Sequence, residues 1–366
     1  MPQQDGTASS TGQVFAAARP WPGGDPSGRK GAMAAEDLFV LVGIPAAVHA
    51  GLGEERRARL AAAHPRAEVA IVADDPERFG ALLPRADAAL IWPTFAPRLG
   101  PALRPGSRLR WVQSMTAGVD GLLTPELLAA EHVLVTSSKG PMGPTMAEHA
   151  LLLMLALARD LPGFLRDQAE RRWRFLADER PMVDVFGKTV LILGVGQVGG
   201  HLARMCKLGF QMRVLGLART RSDDPHVDRY VAWADLHAAL GEADFVAVCL
   251  ALTPETERII DAAALAAMRP GAYLVNVTRG GLVDEAALVA ALKEGRLAGA
   301  GLDATAVEPL PADSPLWDLP NVIITPHISP GRDRVGGALV DFWCENIRRF
   351  TEGEPLRGVV DRQARY

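Results

Sequence analysis

The stretch Thr189-Val-Leu-Ile-Leu193, followed by Gly194-Val-Gly196-Gln-Val-Gly199, decides the fold. Five mostly apolar residues predict a buried strand, and GxGxxG directly after a strand is typical of a tight turn into a helix. Gly194 permits the turn, Gly196 lets the backbone approach a pyrophosphate, and Gly199 lets the helix pack closely on the strand. The N–H groups at the start of the helix favour an anion. We therefore predict a dinucleotide site here.

Short apolar runs lie on both sides of this motif and are separated by helical or turn-rich segments. Strands that alternate with helices predict an α/β fold with parallel sheets built from βαβ units. Before the motif, the predicted strands are Leu38–Ile44, Val69–Val72, Ala88–Trp92, Leu109–Gln113 and Val133–Thr136. From the motif onward they are Thr189–Leu193, Arg213–Leu217, Phe245–Leu250, Tyr273–Asn276, Ala298–Leu302 and Val322–Thr325.

Length and charge set the broad class. A chain of 366 residues predicts two domains. With 39 basic and 43 acidic residues the net charge is −4, which argues against nucleic-acid or anionic-membrane binding. The longest apolar run is far shorter than the ~20 residues that span a bilayer. We therefore expect a cytoplasmic protein. We also expect buried side chains, rather than nucleophiles or metal ligands, at Cys206, Cys249 and Cys344. No metal site is predicted.

Three further segments have distinctive patterns. Residues 1–35 lack periodicity and predict a disordered tail, and we hypothesise Met33 as an alternative start. The run Met146–Arg159 predicts a buried helix that begins with a capping box formed by Thr145 and Glu148. Near the end of the chain, apolar residues recur at helical spacing and predict an amphipathic helix: Val335, Leu339, Trp343, Ile347 and Phe350.

The cofactor's ribose is usually recognised at the end of the second strand, about 20 residues after the glycines. Here the chain reads Leu217-Ala218-Arg219-Thr-Arg221, with no carboxylate to accept the ribose 2′-hydroxyl. Arg219 and Arg221 instead suit a 2′-phosphate, which favours NADP(H). The alternative is that both arginines are solvated surface residues and that NAD(H) binds without an acidic partner.

Three residues that follow successive strands provide a cation, a carboxylate and an imidazole: Arg279, Glu308 and His327. Reduction of a 2-keto acid requires a proton donor for the carbonyl oxygen, and histidine is the natural donor near neutral pH. A hydrogen-bonded carboxylate orients a histidine ring and favours imidazolium. Arginine binds a substrate carboxylate through a bidentate fork. Taken singly, each residue is as easily explained as a cap, loop or turn residue; their joint placement favours catalysis.

These segments resemble the D-isomer-specific 2-hydroxyacid dehydrogenase family from Leu38 to the end of the chain. The matching motifs are Thr116-Ala-Gly-Val-Asp120, Ala147-Glu148-His149, Gly194–Gly199, Thr253-Pro-Glu-Thr256, Arg279-Gly280, Asp303…Glu308-Pro309 and Pro326-His327. The resemblance implies catalytic roles for Arg279, Glu308 and His327, and binding of the substrate carboxylate by the N–H groups of Ala117 and Gly118 together with Arg279. It implies cofactor contacts for Gln197, Val198, Leu250, Val277, Thr278 and Asp303, beside the three glycines.

The resemblance also implies an architecture of two doubly wound parallel-sheet domains with a cleft between them. Residues 36–144 and 328–366 would form a flavodoxin-like substrate domain, and residues 145–327 an inserted Rossmann cofactor domain. The helix at Met146–Arg159 would link the domains and help to form a homodimer. The chain departs from the family pattern at Ala218, at Leu250-Ala-Leu252 and at Ser329-Pro-Gly331.

Two functions are compatible with these motifs. The first is an NAD(P)H-dependent reductase of a small 2-keto acid such as glyoxylate or hydroxypyruvate. The second is a dinucleotide-sensing protein, because the family includes transcriptional corepressors with the same fold. The intact set of Arg279, Glu308 and His327 favours the reductase. Aromatic and sulfur-containing side chains at Trp92–Phe95 and Met115 suggest an apolar substrate pocket or, alternatively, ordinary core packing.

Overall fold

The computed structural model describes residues 37–173, 182–219, 223–331 and 333–366. The predicted tail (residues 1–35), the possible start at Met33 and the candidate ribose residue Arg221 lie outside these ranges. The predictions made for them therefore stay predictions.

The first sheet has five parallel strands in the order β2-β1-β3-β4-β5. All seven residues of its central strand β1 are buried, which explains why that strand is apolar throughout rather than alternating. The strands are β1 (Leu38–Ile44), β2 (Ala67–Ala73), β3 (Ala88–Ile91), β4 (Trp111–Ser114) and β5 (Leu134–Ser137). The helices along this part of the chain are α1 (Ala46–Ala61), α2 (Pro76–Leu82) and α3 (Pro125–Ala129).

Two helices follow the first sheet, α4 (Gly143–Ala158) and α5 (Leu161–Ala169). The predicted capping box at the start of α4 is wrong. The helix begins two residues before Thr145, and its N-cap Met142 makes no side-chain cap. The Thr145 hydroxyl lies within the first turn and donates to the backbone carbonyls of Met142 and Pro330. Pro144, which suits the first turn of a helix, explains the earlier start.

The second sheet has seven parallel strands in the order β12-β11-β10-β9-β6-β7-β8. Its strands are β6 (Thr189–Leu193), β7 (Arg213–Leu217), β8 (Arg229–Val231), β9 (Phe245–Val248), β10 (Tyr273–Asn276), β11 (Gly299–Leu302) and β12 (Val322–Ile324). The helices between them are α6 (Gln197–Phe210), α7 (Leu236–Glu242), α8 (Ala262–Ala267) and α9 (Glu285–Lys293). The edge strand β8 was missed because it has three residues, of which only Val231 is buried.

The last helix, α10 (Asp333–Glu352), returns to the first sheet. Trp343, Ile347 and Phe350 of α10 are buried in one core with β1, β3 and Trp111 of β4. The amphipathic pattern of this helix is therefore explained by packing against a sheet that lies some 200 residues or more earlier in the chain. Two α/β sheet domains are present, as predicted, while the exact domain boundaries stay a prediction.

The cysteines are free thiols in the described ranges. Cys206 is a residue of α6 and is fully buried in the core of the second domain. Burial raises the pKa of the Cys206 thiol to about 12. Burial also raises the pKa of the Cys249 thiol to about 12 and shifts the pKa of Cys344 upward. Thiols of this kind stay protonated at neutral pH. The predicted burial is confirmed for Cys206, whereas Cys249 and Cys344 are only partly buried.

Candidate active site

The three predicted catalytic residues follow three neighbouring strands. β10, β11 and β12 lie side by side at one edge of the second sheet, and Arg279, Glu308 and His327 come after their carboxyl ends in that order. Loops at the carboxyl ends of parallel strands form the usual binding crevice of an open α/β sheet. The register of the sheet thus brings the cation, the carboxylate and the imidazole to the same edge.

His327 and Glu308 form a hydrogen-bonded pair. Nδ1 of His327 lies 2.8 Å from Oε2 of Glu308, and both side chains are about one-third exposed. The other carboxylate oxygen, Oε1, accepts a hydrogen bond from the backbone N–H of Thr305 at 3.1 Å. The two oxygens of Glu308 therefore have separate partners, so the carboxylate has a fixed orientation and in turn orients the imidazole.

Asp303 organises the loop that carries His327. Its side chain is fully buried, and its two oxygens accept hydrogen bonds from the Thr325 hydroxyl at 2.6 Å and from the backbone N–H groups of Ile328 and Ser329. Burial opposes ionisation of Asp303, but these hydrogen bonds outweigh it and hold the pKa of the carboxyl below its ordinary value. His327 has a φ of 52°, in the left-handed region, and its own N–H donates to the Asp303 carbonyl. This buried carboxylate stabilises the strained backbone conformation at His327.

Arg279 contacts the first domain. Its Nε donates to both carboxylate oxygens of Asp120, at 3.1 and 3.3 Å, and its Nη1 donates to the Thr278 carbonyl. A Cβ atom on Gly118 would lie 1.7 Å from Nη2 of Arg279, so a side chain at position 118 would displace the guanidinium from its present place. The predicted carboxylate-binding loop at Ala117 and Gly118 therefore lies directly against the predicted catalytic arginine.

Two residues of this site were quoted in motifs without a predicted role. Asp120 pairs with Arg279, as described above. His149 of α4 lies 2.9 Å from the Thr325 hydroxyl and 3.5 Å from Asp303, which connects α4 to the loop that carries His327. Their motifs are visible in the sequence, but their partners are 159 and 176 residues away in the chain. Phe95 and Met115 are buried and belong to the core, whereas Trp92 is only half-buried.

The glycine loop has the geometry that a pyrophosphate needs. Gly194 has a φ of +100°, and a Cβ there would lie 2.8 Å from the Cys249 carbonyl. A Cβ on Gly199 would lie 2.1 Å from the Gly194 oxygen, so α6 can pack this closely only with glycine there. A Cβ on Gly196, the N-cap of α6, would meet no atom within 4 Å. Gly196 thus borders open space directly in front of the helix N-terminus, which fits a dinucleotide phosphate.

The other predicted cofactor residues lie along the same edge of the sheet. Gln197 and Val198 begin α6, Leu250 follows β9, and Val277 and Thr278 follow β10 and are buried. Ala218 and Arg219 follow β7, and Arg219 is exposed. The carboxylate of Asp303 hydrogen-bonds to the histidine loop through both oxygens, and its predicted cofactor contact stays a prediction.

Comparison with known proteins identifies the family. Residues 151–329 match the model of the NAD-binding domain of D-isomer-specific 2-hydroxyacid dehydrogenases. The chain is 35% identical to a glyoxylate reductase of Korarchaeum cryptofilum over 258 residues, which cover 70% of this chain and 77% of that protein. It is also 37% identical to a glyoxylate/hydroxypyruvate reductase B of Pectobacterium atrosepticum over 71% of this chain and 82% of that protein. The chain belongs to the D-isomer-specific 2-hydroxyacid dehydrogenase family.

Solved structures of this family superpose on the fold. A member from Xanthobacter autotrophicus in complex with NADPH and MES has 34% identity and a TM-score of 0.72, covering 90% of this chain and all of that one. An NADPH-dependent glyoxylate/hydroxypyruvate reductase from Sinorhizobium meliloti in complex with NADP and sulfate has 31% identity and a TM-score of 0.74, with the same coverage. Within the described ranges, no helix of this dehydrogenase is both long and apolar enough to cross a membrane.

Proposed function

We propose that this protein reduces a small 2-keto acid to a D-2-hydroxy acid, or catalyses the reverse oxidation, with a nicotinamide cofactor. The observation that carries the proposal is the pairing of His327 with Glu308, at 2.8 Å, at the strand edge that also holds Arg279. The names of the glyoxylate and hydroxypyruvate reductases among its relatives support this substrate class.

Each residue of the set has a defined role in this reaction. Because Nδ1 of His327 is paired with Glu308, Nε2 is the nitrogen that donates a proton to the carbonyl oxygen of the substrate. Glu308 stabilises the imidazolium before that transfer. Arg279 and the N–H groups of Ala117 and Gly118 bind the substrate carboxylate and orient the carbonyl. When bound, the reduced nicotinamide supplies the hydride that goes to the carbonyl carbon.

For the cofactor, we propose NADP(H) in preference to NAD(H). Ala218 stands where a ribose-binding carboxylate is usual, and the Arg219 guanidinium directly follows it at the end of β7. Gly194, Gly196, Gln197, Val198 and Gly199 would hold the pyrophosphate, with Leu250, Val277 and Thr278 along the nicotinamide side. The NADPH and NADP found in two related structures support this preference. Comparison of kcat/KM for NADPH and NADH tests it, and a clear preference for NADH would contradict it.

We also propose the division of the chain into a substrate domain (residues 36–144 and 328–366) and a cofactor domain (residues 145–327) that close over the substrate. A homodimer is supported by a group of exposed apolar side chains on and near α4 and α5, since such surfaces mark interfaces. They are Leu152, Leu161, Phe164, Leu165 and Phe186. Analytical ultracentrifugation tests the dimer. The free thiols fit a reducing compartment, and we propose the cytoplasm.

Steady-state assays with a panel of 2-keto acids test the central proposal. Oxidation of NADPH at 340 nm is followed with glyoxylate, hydroxypyruvate and a bulkier 2-keto acid, with simple aldehydes as controls that lack the carboxylate. We expect turnover of at least one keto acid and none of the aldehydes. Tight cofactor binding without turnover of any keto acid would favour the dinucleotide-sensing function instead.

A further inference from the structure

The segment Val359–Tyr366, called here the hook, is firmly attached to the first sheet. Val359 forms an antiparallel bridge with Thr136 of β5, and the Val360 N–H donates to the Val135 carbonyl at 2.9 Å. The guanidinium of Arg362 donates to four backbone carbonyls that surround the end of α3: Leu127, Leu128, Ala130 and Val133. The hook therefore belongs to the first domain, to which backbone hydrogen bonds and the charge-assisted hydrogen bonds of Arg362 attach it.

The end of the hook closes on itself. The Asp361 N–H donates to the backbone oxygen of Tyr366 at 3.0 Å, and the Asp361 carboxylate accepts hydrogen bonds from the N–H groups of Gln363 and Ala364. Arg365 completes the turn with a φ of 59°, in the left-handed region. This closed turn sets the direction in which Tyr366 leaves the first domain.

The Tyr366 ring contacts the second domain at Arg219. The guanidinium carbon of Arg219 lies 4.5 Å from the centroid of the ring, which is a cation–π contact between the hook and the loop after β7. The surroundings carry charges of both signs: Arg219 and Lys139 both help to lower the pKa of Asp361, after its backbone hydrogen bonds, and Arg219 also helps to lower the pKa of Glu255, after its hydrogen bonds. The contact thus links the first domain to the residue proposed to recognise the ribose 2′-phosphate.

We propose that Tyr366 is a positioning residue for cofactor choice, which holds the Arg219 guanidinium ready for the 2′-phosphate of NADP(H). This inference rests on the proposed NADP(H) preference. An exposed arginine has many rotamers, and an aromatic ring on one face of the guanidinium restricts them while its edge N–H groups remain directed outward. The N–H groups lie in the plane of the guanidinium, so a contact between its face and the ring leaves them able to bind a phosphate.

The test measures cofactor affinity rather than turnover. Dissociation constants of the full-length protein for NADPH and NADH are determined by calorimetry, and the adenosine end is isolated with 2′,5′-ADP and 5′-AMP. The variants are Tyr366→Ala, Tyr366→Phe, Arg219→Ala and the double variant Arg219→Ala with Tyr366→Ala. Thermal melting of each variant confirms that it is folded.

We expect Tyr366→Ala to weaken NADPH and 2′,5′-ADP binding about two- to fivefold, the size of an exposed cation–π contact, and to leave NADH and 5′-AMP unchanged. Tyr366→Phe, which keeps the ring, is expected to bind like the wild type. In the Arg219→Ala background the Tyr366 substitution is expected to have no further effect. An equal loss for NADPH and NADH, or a loss that persists without Arg219, would overturn the inference.

Failure of the proposed cofactor preference gives a different result. If the wild type binds NADH more tightly and Arg219→Ala leaves NADPH affinity unchanged, both the NADP(H) preference and the role of Tyr366 are wrong. If Arg219→Ala selectively weakens NADPH while Tyr366→Ala does not, only the role of Tyr366 is wrong.

Discussion

The proposed catalytic end of the active site, around His327, and the proposed adenosine end, around Arg219, are built in different ways. At the catalytic end, the loop of His327 is held by the fully buried carboxylate of Asp303 through three hydrogen bonds. At the adenosine end, the exposed Arg219 contacts the ring of Tyr366. A buried charge that loses its partners costs much more free energy than an exposed contact. Substitutions at the catalytic end should therefore have larger effects than the two- to fivefold change in affinity expected for Tyr366→Ala. Three predictions at the catalytic end test this difference.

The largest effect is expected for His327→Ala. Removal of the proposed proton donor should lower kcat for keto-acid reduction by about 10²–10⁴-fold, the usual contribution of a general acid. The dissociation constant of the cofactor, measured by calorimetry, should stay within about twofold, since the imidazole is proposed to act on the substrate. His237→Ala, on the exposed face of α7, is the control. A variant with wild-type kcat would contradict the assignment of His327 as the donor.

A smaller effect is expected for Arg279→Lys. The lysine retains the positive charge but not the fork that contacts Asp120 on one side and faces Gly118 on the other. Loss of one charge-assisted hydrogen bond to the substrate carboxylate should raise KM about 10–100-fold, with a smaller change in kcat. Arg269→Lys, in an exposed ion pair with Asp244, should leave KM unchanged. An unchanged KM for Arg279→Lys would show that the guanidinium does not bind substrate.

The smallest of the three effects concerns stability. Asp303→Asn should lower the free energy of unfolding by about 1.5 kcal/mol at pH 7, because the amide keeps only one of the two acceptor oxygens. The pKa of Asp303 is lower in the folded state than in the unfolded state. Its charge therefore stabilises the fold fully at pH values above the pKa of the unfolded state, about 3.9. This contribution is lost as the pH falls through the lower pKa of the folded state. The difference between variant and wild type should therefore shrink below about pH 4.

Urea unfolding at pH 7 and at pH 3 measures the effect of Asp303→Asn. Asp341→Asn is the matched control, because Asp341 is exposed in an ion pair with Arg59 and should change stability by less than about 1 kcal/mol. If Asp303→Asn lowers the free energy of unfolding no more than Asp341→Asn does, the prediction is wrong. The buried carboxylate would then stabilise the protein no more than a surface charge does.

The predictions that succeeded from sequence depend on local patterns. The strand Thr189–Leu193 and the glycines after it were predicted to the residue, because burial on both faces and close backbone contacts demand particular residue types at fixed spacing. Local patterns were misleading where tertiary contacts compete. Thr145 and Glu148 have the spacing of a capping box, yet the Thr145 hydroxyl reaches the Met142 and Pro330 carbonyls instead.

The sequence by itself determined the alternation of strands and helices, the dinucleotide turn and the identity of the residues after each strand, because these follow from hydrophobic periodicity and from the conformational freedom of glycine. Only the tertiary structure decided which side chains meet. Asp120 reaches Arg279, and Tyr366 reaches Arg219, each across about 150 residues of chain. Such pairs leave no periodic signal, since the packing of two sheet domains, and not the spacing along the chain, brings their charges and rings together.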